Sequence, residues 1–195
     1  ANGPKSLPVP MVPSGRWKPD FIKTEYNAKI QAAIEYIKAG DIFQTNLTQR
    51  FCISRPPGLS AFDLYLILRA RNPAPFAAYI NCGKGRAILS ASPERFLKLK
   101  ADGLVLTEPI KGSRPRGKNP EADQRLATDL KFSEKDMAEN LMIVDLLRND
   151  LSKVCEIGSV MTPSLFKLKS FAEMHHLVST ITGKLKKNEN SISLM

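Results

Sequence analysis

Three side chains could take part in acid–base, nucleophilic or metal chemistry. Lys111 stands in the segment TEPIKGS, between a proline turn and a glycine, directly after a run typical of a buried strand. A lysine amine is a nucleophile once it is neutral, although most lysines lie on solvated surfaces. Glu94 follows a strand in SPERF, and Glu139 lies on the helix that begins at Ser133. Such carboxyl groups serve as general acids or Mg²⁺ ligands, or form surface salt bridges.

The elements that position these residues mix helices and strands without a β-α-β rhythm. The segment DIFQTNLTQRFCI alternates between apolar and polar residues, which predicts a strand with one polar face. Lys111 is placed in a constrained turn, and the helix after Ser133 is predicted to be buried on more than one face. The predicted fold class is α+β with a largely antiparallel sheet. One helix is expected at about 26–39, and three more are expected to begin at Ser60, after Asn119 and at Ser133. Strands are expected at 76–81, 86–91, 95–100, 104–110, 154–161, 165–169 and 174–182.

The 195 residues are enough for one domain or part of a larger one. The proline-rich segment 1–20 predicts a linker or extended arm, and 21–195 the N-terminal portion of a catalytic domain. The chain starts without methionine and ends on SISLM, which is typical of a beginning helix, so we expect a C-terminally incomplete chain. No run has the length of a membrane span. Three widely spaced cysteines argue against disulfides and zinc and favour a reducing, cytoplasmic location.

The net charge of +10 is compatible with a nucleic-acid partner. However, the basic excess lies mainly in the first half of the chain, and no block of five basic residues or aromatic–basic module is present. The same charge would attract a small anionic substrate. We therefore expect no nucleic-acid partner, and a basic nucleic-acid-binding domain stays an alternative from another class, as does an inactive fragment.

Several segments together resemble the chorismate-utilising enzymes, within that family the aminodeoxychorismate synthase component I branch of para-aminobenzoate and folate synthesis. The resemblance covers about 21–187 in matching order and spacing, in DIFQTNLTQRF, PAPFAAYI, ILSASPERFLKL, EPIKGSRPRG, AENLMIVDLLRNDL and HHLVSTITGKL. It implies a large α/β sandwich of mostly antiparallel sheets flanked by helices, of which this chain is the first part. It also implies that chorismate and ammonia are the substrates and that a glutamine amidotransferase supplies the ammonia.

The resemblance assigns the reacting groups. It makes Lys111 the nucleophile that attacks ring carbon C2 while the C4 hydroxyl leaves, which requires a neutral amine against a reference pKa of about 10.4. It makes Glu94 the general acid that protonates this hydroxyl, for which burial should raise the carboxyl pKa. Anthranilate, isochorismate and salicylate makers resemble the chain less, because they carry alanine at the position of Lys111. Anthranilate synthase component I is the alternative within the family.

The resemblance also assigns binding roles. Glu139 is implied to be one carboxylate ligand of Mg²⁺, whereas Asp136 is better explained as part of a helix cap with Ser133. His176 is implied to contact the substrate, and Gly112 and Ser113 its ring carboxylate. His175 should be structural because neighbouring strand residues point to opposite faces. Gln44 replaces the lysine base that water-using relatives carry, which argues against isochorismate and salicylate synthesis.

Overall fold

The computed structural model describes residues 17–195, so most of the predicted arm over 1–20 lies outside the described residues. The chain divides into two compact units, the first ending at Ile67 and the second covering Leu68–Met195. Helices and antiparallel strands mix in the order predicted for an α+β protein. In the described part, no helix has both the length and the apolar character needed to cross a membrane.

The first unit contains one long helix and little regular strand. Helix α1 spans Lys23–Ala39 and ends at Gly40, whose φ of 82° is left-handed. Strands β1 (Lys18–Pro19) and β2 (Phe51–Cys52) form a two-stranded sheet. Helix α2, Ala61–Arg71, begins here with the predicted Ser60–Asp63 capping box, in which each side chain bonds the other's backbone N–H.

The strand predicted over DIFQTNLTQRFCI is wrong except at Phe51 and Cys52. Residues 41–50 are held instead by isolated hydrogen bonds, in which Tyr26 donates its hydroxyl to Leu47 O and Gln49 donates its amide to Phe21 O. An alternating pattern shows only that one face is apolar, and a strand also needs a neighbouring backbone to complete its ladder.

The second unit contains a hairpin and a five-stranded sheet. Strands β3 (Phe76–Gly83) and β4 (Arg86–Ser92) form the hairpin across the predicted Gly-Lys-Gly turn. The sheet has the order β5-β6-β9-β7, and β8 also pairs with β9. All of its pairings are antiparallel, and its strands are β5 (Arg95–Leu99), β6 (Leu104–Glu108), β7 (Ile110–Pro115), β8 (Met161–Ser170) and β9 (Met174–Lys184).

Two predictions in this sheet are wrong. The segment around Lys111 is strand β7 rather than a turn, because β9 offers it a pairing edge. The strand expected over 154–161 is a loop that follows helix α4 (Glu134–Val154), with a single bridge between Cys155 and Leu185. The strand expected over 165–169 is the middle of the longer β8. The chain end at 191–194 forms turns and not a helix.

Helix α3 (Pro120–Lys131) and α4 begin at the predicted residues. The Asn119 side chain accepts from Ala122 N at 2.8 Å, and the Ser133 hydroxyl accepts from Asp136 N at 3.3 Å. The expectation that α4 is buried on several faces is wrong, because Leu141 and Leu146 are 44% and 38% exposed. One face of α4 packs on the sheet, with a core of Val105, Val144, Leu151, Cys155, Ile181 and Leu185.

An ion cluster joins three strands of the sheet. Glu108 on β6 accepts from Arg95 on β5 and from Lys169 on β8, both at 2.7 Å. Burial of Glu108 acts to raise its pKa, but the hydrogen bonds from Lys169 and Arg95 outweigh it, so the pKa lies below its ordinary value. The Arg95 guanidinium also lies 4.6 Å from the centre of the Phe76 ring, which holds the β3–β4 hairpin near β5.

Candidate active site

Lys111 lies in an irregular part of β7 that faces β9. Ile110 pairs with Val178 and Ser113 pairs with His176, so two residues of β7, Lys111 and Gly112, stand opposite a single residue of β9. This is a β-bulge, a feature that re-aims side chains and is frequent beside active sites. Lys111 is half-buried there. The bulged strand β7, and not the predicted turn, therefore sets the backbone position of Lys111.

Gly112 is required by the packing of this bulge against α4. Its φ is 85°, and a Cβ atom would stand 2.7 Å from Asp136 Cβ and 2.9 Å from Leu130 Cδ1. Asp136 is also fixed by Arg114, whose guanidinium lies 3.1 Å from its carboxylate. The predicted cap at Ser133 is therefore only half of a capping box, because the Asp136 side chain pairs with Arg114 rather than with the Ser133 backbone.

Glu94 lies in the turn between β4 and β5, and its carboxylate meets the backbone beside Lys111. Ile110 N donates to Glu94 Oε1 at 2.7 Å, and Glu94 N donates to the Ser92 hydroxyl at 3.2 Å. Glu94 is exposed in the structure, which differs from the burial expected from sequence. The turn leads into β5, which is an edge strand of the sheet.

His176 and His175 point to opposite sides of β9. The Ser113 hydroxyl lies 2.7 Å from His176 Nδ1, and the Phe171 ring centre lies 5.5 Å from that of His176. Burial lowers the pKa of His176, the charge of Glu94 acts against this shift, and His175 adds to it. His175 contacts different partners, as the alternation of strand side chains predicted.

Glu139 lies on α4, which packs against β7 and β9. Its side chain is 41% exposed, and its carboxylate is 4.0 Å from the Lys135 ammonium. The next residue, Asn140, is fully buried and fixes the helix to β9. The Asn140 amide donates to Leu177 O at 3.1 Å and accepts from the Ser179 hydroxyl at 2.5 Å. Sequence reasoning missed Asn140, although an amide within the apolar stripe of a helix signals such a bond.

A cavity of about 120 Å³ opens beside His176 in the second unit. Its walls come from the loop before β3, the turn that carries Glu94 and the β8–β9 turn, and they include Asn72, Pro75, Pro93, Phe171 and His176. The fold therefore gathers Glu94, Lys111, Ser113 and His176 around one region of the sheet, with the Glu139 helix packed against it. Among residues 17–195, no three side chains of the metal-binding types form a cluster.

A half-buried lysine on the same strand as Ser113, next to the backbone N–H that Glu94 accepts from, suits reactions at an anionic, electrophilic small molecule. The family model described as chorismate binding enzyme matches residues 3–195. The chain belongs to this family. The match extends over both units and over every site residue named above.

Named relatives of this chorismate-binding chain fall into two groups. The chain is 45% identical over 190 residues to "Aminodeoxychorismate synthase, chloroplastic" of Arabidopsis thaliana, covering 94% of this chain and 20% of the relative. It is 42% identical over 179 residues to "Aminodeoxychorismate synthase component 1" of Escherichia coli strain K12, covering 92% and 39%. It is 40% identical over 176 residues to "Anthranilate synthase component 1" of Bacillus subtilis strain 168, covering 90% and 33%. The chain thus spans between about a fifth and two fifths of these relatives.

Solved structures agree with the chorismate-binding fold. Anthranilate synthase component I from Streptococcus pneumoniae TIGR4 superposes with a TM-score of 0.77 at 32% identity, covering 92% of this chain and 38% of that one. MenF, the menaquinone-specific isochorismate synthase of Escherichia coli, superposes with a TM-score of 0.69 at 18% identity, covering 97% and 43%. The second likeness concerns the fold alone. Together they confirm the predicted fold, and the chain spans about two fifths of each of these two structures.

Proposed function

We propose that the protein containing this chain converts chorismate and ammonia to 4-amino-4-deoxychorismate, a step toward para-aminobenzoate and folate. The observation that carries the proposal is Lys111, half-buried in the β7 bulge, with the Glu94 carboxylate bonded to the preceding backbone N–H. The identity of 45% and 42% to relatives named aminodeoxychorismate synthase supports the same product. The basic character of the chain suits a dianionic substrate.

In the first proposed step, the Lys111 amine forms a bond to ring carbon C2. Both conjugated ring double bonds shift by one position, and the C4 hydroxyl leaves as water after it receives a proton from Glu94. The step leaves a secondary ammonium between Lys111 and C2, and an ionised Glu94. Proton donation in this step is favoured by a site that excludes water, whereas the Glu94 side chain is exposed in this chain. We therefore expect that further parts of the complete protein, or the substrate itself, cover the turn that carries Glu94.

In the second proposed step, ammonia forms a bond to C4, both double bonds shift back, and Lys111 leaves C2 as a neutral amine. The new C4 ammonium returns its surplus proton to the Glu94 carboxylate. The net reaction joins chorismate and ammonia and releases water. The ammonia is proposed to come from a glutamine amidotransferase partner, and relatives named "component 1" are consistent with a second component. Positioning of both reactants next to one lysine supplies much of the rate enhancement.

His176, Gly112 and Ser113 are proposed to bind the substrate. A serine hydroxyl has one donor and two acceptor positions. Ser113 can therefore accept from His176 Nδ1–H while it donates to the ring carboxylate. The Gly112 N–H is proposed as a second donor to this carboxylate. In this arrangement the neutral His176 imidazole keeps Nε2 as an acceptor toward the substrate.

Glu139 is proposed as one ligand of Mg²⁺. Its carboxylate is partly exposed, and its contact with Lys135 is long at 4.0 Å, so its oxygens suit a hard cation. Mg²⁺ commonly takes only one or two protein carboxylates together with water and substrate oxygens, so one ligand on α4 fits such a site. When bound, the ion would offset the negative charge of the substrate carboxylate. Glu139 would hold the ion next to helix α4.

Replacement of Lys111 by alanine tests the proposed function. The complete protein is incubated with chorismate, Mg²⁺ and ammonium salt, and the products are separated by chromatography and identified by mass. K111A should lose at least about a hundredfold of its aminodeoxychorismate formation, because it removes the nucleophile. The matched control is K118A, which removes an exposed lysine seven residues later and should leave turnover unchanged.

The same assay distinguishes the proposed aminodeoxychorismate synthase from the alternative within the family, anthranilate synthase component I. If K111A forms anthranilate in place of aminodeoxychorismate, the lysine determines the product, as proposed. Anthranilate as the main product of the unaltered protein would instead show that it is an anthranilate synthase component I. Unchanged aminodeoxychorismate formation by K111A would refute the nucleophilic role of Lys111.

A further inference from the structure

A single carboxylate in the first turn of α3 organises the segment next to His176. Asp123 accepts four hydrogen bonds, two of them from Arg116, whose Nε and Nη2 each lie 2.8 Å from a different carboxylate oxygen. Gly117 N donates at 2.7 Å, and His175 Nε2 lies 3.0 Å away. The hydrogen bonds from Arg116 and then from Gly117 hold the pKa of Asp123 well below its ordinary value, so the carboxylate is ionised.

An ionised Asp123 determines the tautomer of His175. A carboxylate only accepts, so His175 Nε2 must carry the proton of this hydrogen bond. In the neutral ring, Nδ1 is then an acceptor, and the Ser170 hydroxyl donates to it at 2.7 Å. His175 is 2% exposed, and both ring nitrogens are engaged. The cross-strand pair of Ser170 and His175 therefore fixes the ends of β8 and β9 to α3.

Arg116 extends the same network to the β8–β9 turn. Its Nη1 donates to Phe171 O at 2.8 Å, and its backbone N donates to Glu173 O at 3.0 Å. The turn is closed by a bond from Phe171 N to Met174 O at 2.8 Å. Arg116 and His175 both link Asp123 to this turn, so loss of the Asp123 charge would weaken both links.

The turn carries the ring that packs on His176. Phe171 and His176 lie with ring centres 5.5 Å apart and planes tilted by 54°. The opposite constraint on His176 is Ser113, 2.7 Å from Nδ1. Since both rings also line the 120 Å³ cavity, a displaced Phe171 would change the wall of the cavity and the angle of the imidazole together.

We propose that Asp123 is a positioning residue for His176, which it acts on through Arg116, His175 and the Phe171 turn. The inference rests on the proposed function, in which His176 contacts the substrate. Asp123 itself contacts no substrate in this proposal. Asp123 affects the reaction by fixing the orientation of the His176 ring, and displacement of such a group by about 1 Å can lower a rate by about a hundredfold.

The test is a double-mutant cycle in the complete protein. D123N keeps the size of the side chain but removes its charge and turns one acceptor into a donor toward Arg116 or His175. We expect turnover of chorismate to fall about tenfold to a hundredfold. E121Q is the matched control, since Glu121 is an exposed acid in the same helix turn, and it should keep wild-type turnover.

The coupling to His176 separates positioning from general structural damage. If Asp123 acts through His176, the double variant D123N/H176N should be no slower than H176N alone. Multiplied effects of the two substitutions would overturn the proposal. If D123N does not fold, as judged by circular dichroism, S170A weakens the same network at an exposed residue and should show the same non-additivity with H176N; additivity there would equally overturn it.

A second readout needs no turnover and therefore stays valid if the proposed function fails. The complete protein is labelled with ¹⁵N-histidine, and the two rings are assigned with H175Q and H176Q. The wild type should show His175 in the Nε2–H tautomer. D123N should change the nitrogen shifts of both rings, while E121Q should change neither. An unchanged His176 signal in D123N would refute the inference independently of which product the enzyme makes.

Discussion

Replacement of Gly112 by alanine should destabilise the protein through two separable effects. The φ of 85° is left-handed, and it costs an L-residue about 1–2 kcal/mol. The new Cβ would also stand 2.7 Å from Asp136 Cβ and 2.9 Å from Leu130 Cδ1, and such overpacking costs about 1–3 kcal/mol. The expected loss in free energy of unfolding is therefore about 2–5 kcal/mol.

Gly158 provides the control for this prediction. Its φ is 78°, and nothing lies within 4 Å of its added Cβ, so G158A carries the backbone cost without the collision. Urea denaturation followed by circular dichroism should show G112A less stable than G158A by about 1–3 kcal/mol. Equal losses for the two variants would refute the close approach of the β7 bulge to α4. Because Lys111 precedes Gly112, the proposed turnover of chorismate by the complete protein should also fall more in G112A than in G158A.

Two further predictions concern buried polar groups. N140A should lower the free energy of unfolding by about 1–3 kcal/mol, since Leu177 O loses the amide that donates to it and the Ser179 hydroxyl loses the acceptor of its proton. Thermal melts check this, and a wild-type melting temperature would contradict it. Glu108 has a folded-state pKa below its unfolded value of 4.5, so its contribution to stability is present above that pH and is lost as pH falls through the folded pKa. E108Q should therefore have a lower free energy of unfolding than wild type at pH 7, and this difference should shrink as the pH falls below about 4.5. Urea titrations at several pH values measure it, and a difference that stays constant with pH would contradict the lowered pKa of Glu108.

Local features were predictable because their causes lie within a few residues. The caps at Ser60, Asn119 and Ser133 were read from the sequence, since a cap needs one side chain and the next turn of backbone. The hairpin over 76–92 followed from its glycine turn and flanking β-branched and aromatic residues. The wrong predictions concern features that depend on contacts with residues far away in the sequence. Within the described residues, the alternation over 41–50 meets no adjacent strand, and only Phe51 and Cys52 pair with one. Helix α4 has more apolar residues than its one sheet-facing side can bury, so several stay exposed.

Some features of the candidate site follow from the sequence alone, and others depend on the tertiary structure. The sequence by itself determined the family and the opposite orientations of the two histidines, because these depend on residue order and strand period. The roles that it predicts for Lys111, Glu94, Glu139 and His176 stay predictions. The tertiary structure alone decided that Lys111 lies in a bulged strand, that Glu94 bonds the backbone beside it and that Asp123 reaches His175. Those contacts join residues at least 16 positions apart, and only the folded sheet and its packed helices bring such residues within hydrogen-bond distance.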